Sequence, residues 1–140
     1  YAESTASSWA CAGDLVERGK GYGLPSRRVD GHDFFEVWDA FSIYGLLSIE
    51  ACGLAAQGQG WRWLAEQDHS PAGRLALLSM GGNKARGFPL GAAGTYQAAE
   101  AVLQLRGMAG QNQVPQAVNA LVQALGGPAA TAITHILSRD

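Results

Sequence analysis

A glycine-rich segment, Ser79–Gly94, holds the residues of this chain that are best suited to binding a ligand. It follows an apolar run, Leu75–Leu78, which predicts a strand, and it precedes a helical pattern at Thr95–Arg106. A strand, a glycine turn and a helix start allow backbone N–H groups to approach a ligand closely. Lys84 and Arg86 are the cations that would face an anion, and structural packing is the simpler alternative. The candidate ligand-loop residues are Gly81, Gly82, Lys84, Arg86, Gly87, Phe88, Pro89, Gly91 and Gly94.

The cysteines and histidines form no pattern typical of a metal site. Cys11 and Cys52 fit no metal-ligand spacing, so we interpret them as reduced thiols of a cytoplasmic protein. His32 and His69 fall in predicted loops, where we expect solvated side chains, and His135 falls in a predicted strand, where we expect a hydrogen-bonded one. Because the three histidines lack ligand spacing, no metal is predicted.

The composition points to one compact body. The chain has 140 residues, of which 47% are hydrophobic and 16% charged, and such a balance is too apolar for disorder. A net charge of −2 argues against a nucleic-acid or anionic-membrane partner. No apolar run approaches the roughly 20 residues of a membrane-spanning helix. Tyr1–Ala10 does not resemble a signal peptide, because it is polar and lacks a basic region before an apolar one; the missing initiator methionine suggests a fragment or an incomplete reading frame.

The first half of the chain reads as mainly helical. A helix is predicted at Ser8–Lys20, ended by glycines, and a short strand at Arg27–Asp30. A second helix is predicted from near Asp33 to Gly53, either continuous or divided near Phe41–Ser42. Its apolar stripe has spacings of three and four. That stripe consists of Phe34, Val37, Trp38, Phe41, Tyr44 and Leu47, continued by Leu46, Ile49 and Cys52.

The second half alternates helix and strand. Trp61–Gln67 is predicted to be a short amphipathic surface turn whose tryptophans pack or contact a partner. Met108–Ser138 contains no charged residue, and within it Ala117–Leu125 and Ala130–Leu137 predict an antiparallel hairpin. An uncharged hairpin is expected inside a sandwich of helices or at a subunit contact. The fold class is therefore α/β, with helices packed on a small mixed sheet.

From about Asp39 onward the chain resembles the C-terminal half of thiolases, in particular the lipid-transfer or sterol-carrier branch. The resemblance implies a thiolase-like C-terminal domain at residues 40–140, with an N-terminal helix–strand extension. It also implies acyl-coenzyme A as the substrate class and carbon–carbon bond formation or cleavage as the reaction. The segments that carry it are 39–43, 49–54, 81–94, 99–110, 113–115 and 125–132.

Residues 1–39 are similar to the alpha subunit of thiamine-dependent 2-oxoacid dehydrogenases. The similarity rests on 1–5, 21–25 and 28–33. That family's diphosphate and metal motif is missing, so thiamine diphosphate is not expected. We interpret the chain as a composite whose two parts meet between Phe35 and Phe41. The alternative is that the whole chain belongs to one family whose pattern is not recognised.

Thiolase chemistry needs a cysteine nucleophile, a histidine that activates it, an acid/base cysteine and donors for the thioester oxygen. By resemblance, the nucleophile belongs to an N-terminal half that this chain lacks. The remaining family positions map to Trp38, Ala40, Phe88 and Ala124, with Phe88 in the place of the loop histidine. None of these side chains can take or give a proton. The sequence therefore predicts no confident catalytic residue.

Three functions follow as hypotheses. The first is a structural or assembly module without its own activity, which self-associates or docks onto a missing thiolase half or a small partner protein. The second is an acyl-coenzyme A-processing thiolase-like enzyme or a retro-aldolase subunit that needs a partner chain and uses Tyr44 or Tyr96 as acid or base. The third is a fragment of a thiamine-dependent dehydrogenase. No cofactor is expected; a coenzyme A thioester is the ligand that the resemblance implies.

Overall fold

A mixed four-stranded sheet with helices on both faces forms the part of the chain that the computed structural model describes, residues 34–127 and 129–139. The α/β prediction is confirmed. The strands are β1 Phe34–Glu36, β2 Ala76–Leu77, β3 Asn119–Gly126 and β4 Thr131–Ser138, and the helices are α1 Ser42–Ala51, α2 Gly60–Glu66, α3 Gly82–Arg86 and α4 Ala93–Leu105, with single 3₁₀ turns at Leu90–Ala92 and Gly110–Asn112. The predicted elements Ser8–Lys20 and Arg27–Asp30 lie outside the described residues.

The sheet has the order β2-β1-β3-β4. β1 runs parallel to both neighbours, so that Phe34 lies opposite Ala76 on one side and Ala120 on the other. β3 and β4 form the predicted antiparallel hairpin, with a continuous register from Asn119 opposite Ser138 to Gly126 opposite Thr131. β1 is therefore a central strand with a hydrogen-bonded neighbour on each edge.

Alternate residues of the strands build two separate core layers, as the period of two in a strand requires. Phe34 and Val122 face α4 and pack with its Ala101 and Leu105. On the opposite face Phe35 and Val37 pack with Ile49 of α1 and with Trp63 of α2, among others. Both faces of the central strand are thus buried.

The prediction of a helix from near Asp33 is wrong for Phe34–Glu36, which form β1; Asp33 itself lies outside the described residues. The physical reason is the burial of β1 on both faces. A strand covered on both sides is apolar at consecutive positions, and a short run of this kind has no periodicity that separates it from a buried helix. The helix starts at Ser42, close to the division that was considered near Phe41–Ser42.

Two further predictions are modified by the structure. The segment expected to be a turn at Trp61–Gln67 is a two-turn helix, α2, whose Trp61 stays exposed while Trp63 packs on the core. The hairpin lies inside the helical layers only in part, because β4 is at the sheet edge and most of its side chains are exposed. The alternative placement of β4, at a subunit contact, stays a prediction.

None of the helices in the described part of the chain is both long enough and apolar enough to cross a membrane.

Gly94, in the first turn of α4, allows that helix to approach β3 closely. A Cβ atom on residue 94 would lie 2.8 Å from Cβ of Ala124, well inside van der Waals contact. Gly45, within α1, is different, because its nearest neighbour would be Cβ of Asp39 at 3.9 Å.

We predict that Gly94→Ala lowers the free energy of unfolding by about 1–2 kcal/mol, because overpacking outweighs the better helix propensity of alanine. The measurement is urea unfolding followed by circular dichroism. Gly45→Ala is the matched control and should raise stability by up to about 1 kcal/mol. Adding Ala124→Gly to Gly94→Ala should restore most of the loss; no recovery would contradict the proposed Cβ–Cβ contact.

Candidate functional site

The four positions singled out in the sequence lie around the glycine segment. The ring of Trp38, just after β1, meets the ring of Phe88 edge-on, with centroids 5.3 Å apart. The carbonyl of Ala40 lies 3.4 Å from Nζ of Lys84. Ala124 faces Gly94 at the start of α4. The structure therefore brings Trp38 and Phe88 together and places Ala40 and Ala124 beside the same segment.

An aromatic cluster occupies the centre of this arrangement. Trp38 is buried and contacts Phe41 and Tyr44 as well as Phe88, with centroid distances of 6.2, 5.5 and 5.3 Å. Phe41 and Phe88 remain 57% and 40% exposed. The hydroxyl of Tyr44 is the one group of this cluster that can take or give an oxygen-bound proton.

The glycine segment is not an open loop, since it contains the short helix α3. Asp39 caps that helix from the end of β1. The N–H of Asn83 donates to Asp39 Oδ1 at 2.8 Å, and the N–H of Lys84 donates to Asp39 Oδ2 at 3.2 Å. A carboxylate at a helix start is favourable both as an acceptor and through the helix dipole.

Gly82 is required for this capping. Its φ of +59° lies in the left-handed region, and a Cβ there would sit 2.6 Å from Oδ2 of Asp39. A larger residue would both strain the backbone and push Asp39 away. The glycine therefore serves an internal contact of the protein.

The groups that could face an anion at this segment are largely occupied. Arg86 forms an ion pair with Glu100 of α4, and its guanidinium also lies over the Tyr96 ring, 5.5 Å from the centroid. Helix α4 starts at Ala93 and not at Thr95. Lys84 stays exposed. Ligand binding at the segment stays a prediction, with Lys84 as its accessible cation.

The structure contains a buried polar cluster beneath the glycine segment that the sequence did not predict. Glu36 on β1 is fully buried, and Glu100 and Gln97 on α4 are 9% and 0% exposed. Oε1 of Glu36 accepts a hydrogen bond from Ser79 Oγ at 3.4 Å, and Gln97 Nε2 donates to the carbonyl of Glu36 at 3.2 Å. The cluster links the central strand, the glycine segment and α4.

Burial is the main reason why the pKa of Glu36 rises from 4.5 to about 8. The charge of Glu100 and a hydrogen bond with its side chain raise the pKa further, whereas Arg86 and Ser79 lower it. A carboxyl group with such a pKa is mostly protonated at pH 7. Glu36 is thus a carboxyl group of the described structure with a strongly raised pKa, although it does not belong to the aromatic cluster.

Two sequence signals point to this cluster in retrospect. Glu36 is the only charged residue between Phe34 and Trp38, and an acid in a buried strand needs a partner. On α4, Gln97, Glu100 and Gln104 recur at spacings of three and four, which places them on one helix face. Gln104 uses that position to donate to Ser79 Oγ at 2.7 Å and to accept from the N–H of Val114 at 2.8 Å.

The other candidate residues in the described part of the chain are His69, His135 and Cys52. His69 is not solvated as predicted: it is half-buried, stacks on Trp63 with centroids 4.4 Å apart, and places Nδ1 3.2 Å from the carbonyl of Leu75. His135 lies on the exposed β4. Cys52 is a free thiol whose pKa burial raises to about 11, so it is a poor nucleophile at neutral pH. Residues 34–127 and 129–139 contain no group of three His, Cys, Asp or Glu side chains that could hold a metal.

Comparison with known proteins agrees with this architecture. Residues 26–139 match the family described as thiolase C-terminal domain-like. The chain belongs to the thiolase superfamily. The described residues are thus the helices and mixed sheet of a thiolase-type C-terminal domain, and the resemblance to the C-terminal half of thiolases is confirmed. The similarity of residues 1–39 to thiamine-dependent dehydrogenases stays a prediction. The division into residues 1–39 and 40–140 stays a prediction.

Curated relatives include enzymes and lipid-transfer proteins. An acetyl-CoA acetyltransferase of Methanothermobacter thermautotrophicus is 45% identical over 107 residues, which cover 76% of this chain and 28% of the relative. Sterol carrier protein 2 of Rattus norvegicus is 42% identical over 102 residues, 73% of this chain and 19% of the relative. A benzoylsuccinyl-CoA thiolase subunit of Thauera aromatica is 36% identical over 80 residues, 57% of this chain and 20% of the relative. The thiolase-type chain spans less than a third of each of these proteins.

We predict that Asp39→Ala destabilises the domain by about 2 kcal/mol, because the buried N–H of Asn83 and the partly buried N–H of Lys84 lose a charged acceptor. Hydrogen exchange should localise the effect to peptides that contain Asn83 and Lys84. Asp68→Ala is the matched control: this exposed carboxylate also accepts a backbone N–H, that of Ser70 at 2.9 Å, but its loss should leave the unfolding midpoint unchanged. Equal effects of the two substitutions would contradict the capping role of Asp39.

Proposed function

We propose that this thiolase-type domain is an assembly module that does not catalyse acyl transfer by itself. The observation that carries the proposal is the pairing of Trp38 with Phe88 at positions where the family resemblance calls for acid/base groups. An edge-on aromatic contact contributes about 1 kcal/mol to packing. It supplies no group that could activate a thiol or protonate a leaving group.

Exposed apolar side chains on α4 and β4 support the assembly role. Tyr96 and Val102 of α4 are 50% and 42% exposed, and Ile133 and Ile136 of β4 are 51% and 49% exposed. Between α4 and β4 lies an open groove of about 350 Å³. Its lining residues are Val102, Leu105, Arg106, Leu137, Ser138 and Arg139. Ile133 and Ile136 point to opposite faces of the sheet, because Ile133 is paired with Ala124 and Ile136 with Leu121. The groove beside Val102 is therefore the apolar surface that we assign to a protein contact.

The proposed occupant of this surface is polypeptide: a second copy of the chain, the remaining part of a thiolase-type fold, or a small partner protein. The groove is lined in part by Val102, Leu105 and Leu137, and this apolar lining supports the choice. The net charge of −2 of the chain gives no support to nucleic acid. We further propose that the assembly resides in the cytoplasm and that, by family, its ligand class is a coenzyme A thioester, with no other cofactor.

A second candidate function is an enzyme subunit whose acid/base group is a tyrosine. The position of Tyr44 favours it, because its ring lies 5.5 Å from that of Trp38 and therefore beside the mapped family positions. Tyr96, under the guanidinium of Arg86, is the other tyrosine near the segment. One relative is named as a thiolase subunit, which supports the need for a partner chain.

For the assembly proposal we predict that the purified chain binds a hydrophobic dye and that its sedimentation coefficient rises with concentration. Val102→Glu should reduce both effects, since a charge on the α4 surface opposes contact with an apolar partner. Leu64→Glu is the control, because Leu64 is 40% exposed on α2, on the opposite face of the sheet. A compact monomer that melts cooperatively and binds no dye would contradict the proposal.

For the activity of the domain we predict no thiolysis of acetoacetyl-CoA by the purified chain above a buffer blank. In an assembly isolated with its native partner, Tyr44→Phe and Tyr96→Phe test the second function. Loss of an acid/base group should lower turnover by about 100-fold or more. Unchanged turnover in both variants would exclude a tyrosine acid/base role.

A further inference from the structure

Two carboxyl groups and one guanidinium meet in the interior below the glycine segment. Glu36 comes from β1, Glu100 from α4 and Arg86 from the end of α3. The side chains of Glu36 and Glu100 are within hydrogen-bonding reach of each other, and Glu100 is also paired with Arg86. Three elements that are distant in sequence are therefore joined through two acids and one base.

The hydrogen bonding of the pair is incomplete if both acids are ionised. Oε2 of Glu36 and Oε2 of Glu100 are buried and have no donor among the described residues. Two carboxylates accept hydrogen bonds but cannot donate one to each other. A single proton between them supplies the missing donor and leaves one negative charge to balance Arg86.

The glycine segment is attached to this pair at two points, Ser79 and Arg86. Ser79, at the start, donates to Glu36 Oε1, and Arg86, at the end of α3, is bound to Glu100. Phe88 follows Arg86 by two residues and contacts Trp38. The pair thus anchors the chain two residues before Phe88, which by resemblance stands where the family has its loop histidine.

We propose that Glu36 is protonated at neutral pH and donates a hydrogen bond to Glu100. Together with Arg86, this proton holds the segment from Ser79 to Phe88 on the sheet, and its loss at alkaline pH releases the segment. Glu36 and Glu100 are positioning residues in this scheme. The inference does not depend on the assembly role of the domain, because all the groups involved are internal.

The direction of the pH effect follows from the pKa of Glu36, which lies at about 8 in the folded protein against 4.5 for an ordinary glutamate. Between these values the folded state binds more protons than the unfolded state, so stability falls as the pH rises and this contribution is lost above the higher pKa. The charged groups that face Glu36 are Glu100 from α4 and Arg86 from α3; the glycine segment adds the hydroxyl of Ser79.

The test is hydrogen exchange of the whole chain from about pH 6 to about pH 9, corrected for the intrinsic pH dependence of exchange. In the native protein, protection of peptides within 79–88 should fall by at least about tenfold over this range, while peptides of β3 keep theirs. Glu36→Gln, which is neutral at every pH, should make the protection of 79–88 independent of pH. Glu66→Gln on the exposed surface of α2 is the matched control and should behave like the native protein.

A second measurement tests the proposal even if Glu36→Gln does not fold. In the native chain labelled with ¹³C-glutamate, one side-chain carboxyl should titrate near the raised pKa of about 8, and an infrared band of a protonated carboxyl should persist at neutral pH. If the protection of residues 79–88 in the native protein did not change with pH, the proposal would be overturned. The same pH dependence in Glu36→Gln, or a native chain whose carboxyl groups are all ionised at neutral pH, would also overturn it.

Discussion

Burial of β1 on both faces is the constraint on which the described structure depends. The strand has only three residues, yet it pairs in parallel with β2 and β3 and contributes to both core layers. Phe34 faces α4, and Phe35 faces α1 and α2. Because a shift of one residue would exchange these faces, the position of every helix relative to the sheet depends on the register of this strand.

The same strand and its continuation determine the chemistry around the glycine segment. Glu36, Trp38 and Asp39 follow one another within four positions, and each contacts a different part of the segment. Glu36 contributes a buried carboxyl group, Trp38 an edge-on aromatic contact and Asp39 a helix cap. The segment is therefore held by interactions within the domain, and Gly82 allows the close approach of Asp39.

Sequence reasoning succeeded where periodicity or turn chemistry is distinctive. The hairpin, α4 and the mixed α/β architecture were predicted because a glycine turn and a long helical pattern are local signals. β1 was missed, since a strand buried on both faces resembles a buried helix. The Glu36–Glu100 pair was missed for another reason: it joins residues far apart in the chain, and no local pattern brings a strand acid to a helix face. Only the family resemblance indicated that Trp38 and Phe88 belong to the same region of the fold.

The parallel pairing of β1 also has a consequence for how the chain folds. Phe34 pairs with Ala120, so nearly the whole described chain lies between two hydrogen-bonded neighbours. β3 and β4 are joined by a short turn and can pair at little entropic cost, whereas β1 must close a long loop before it pairs with either neighbouring strand. We expect the hairpin and α4 to form early and the central strand to enter last. During synthesis, β1 emerges long before either of its partner strands, and its two phenylalanines then have no sheet to pack in.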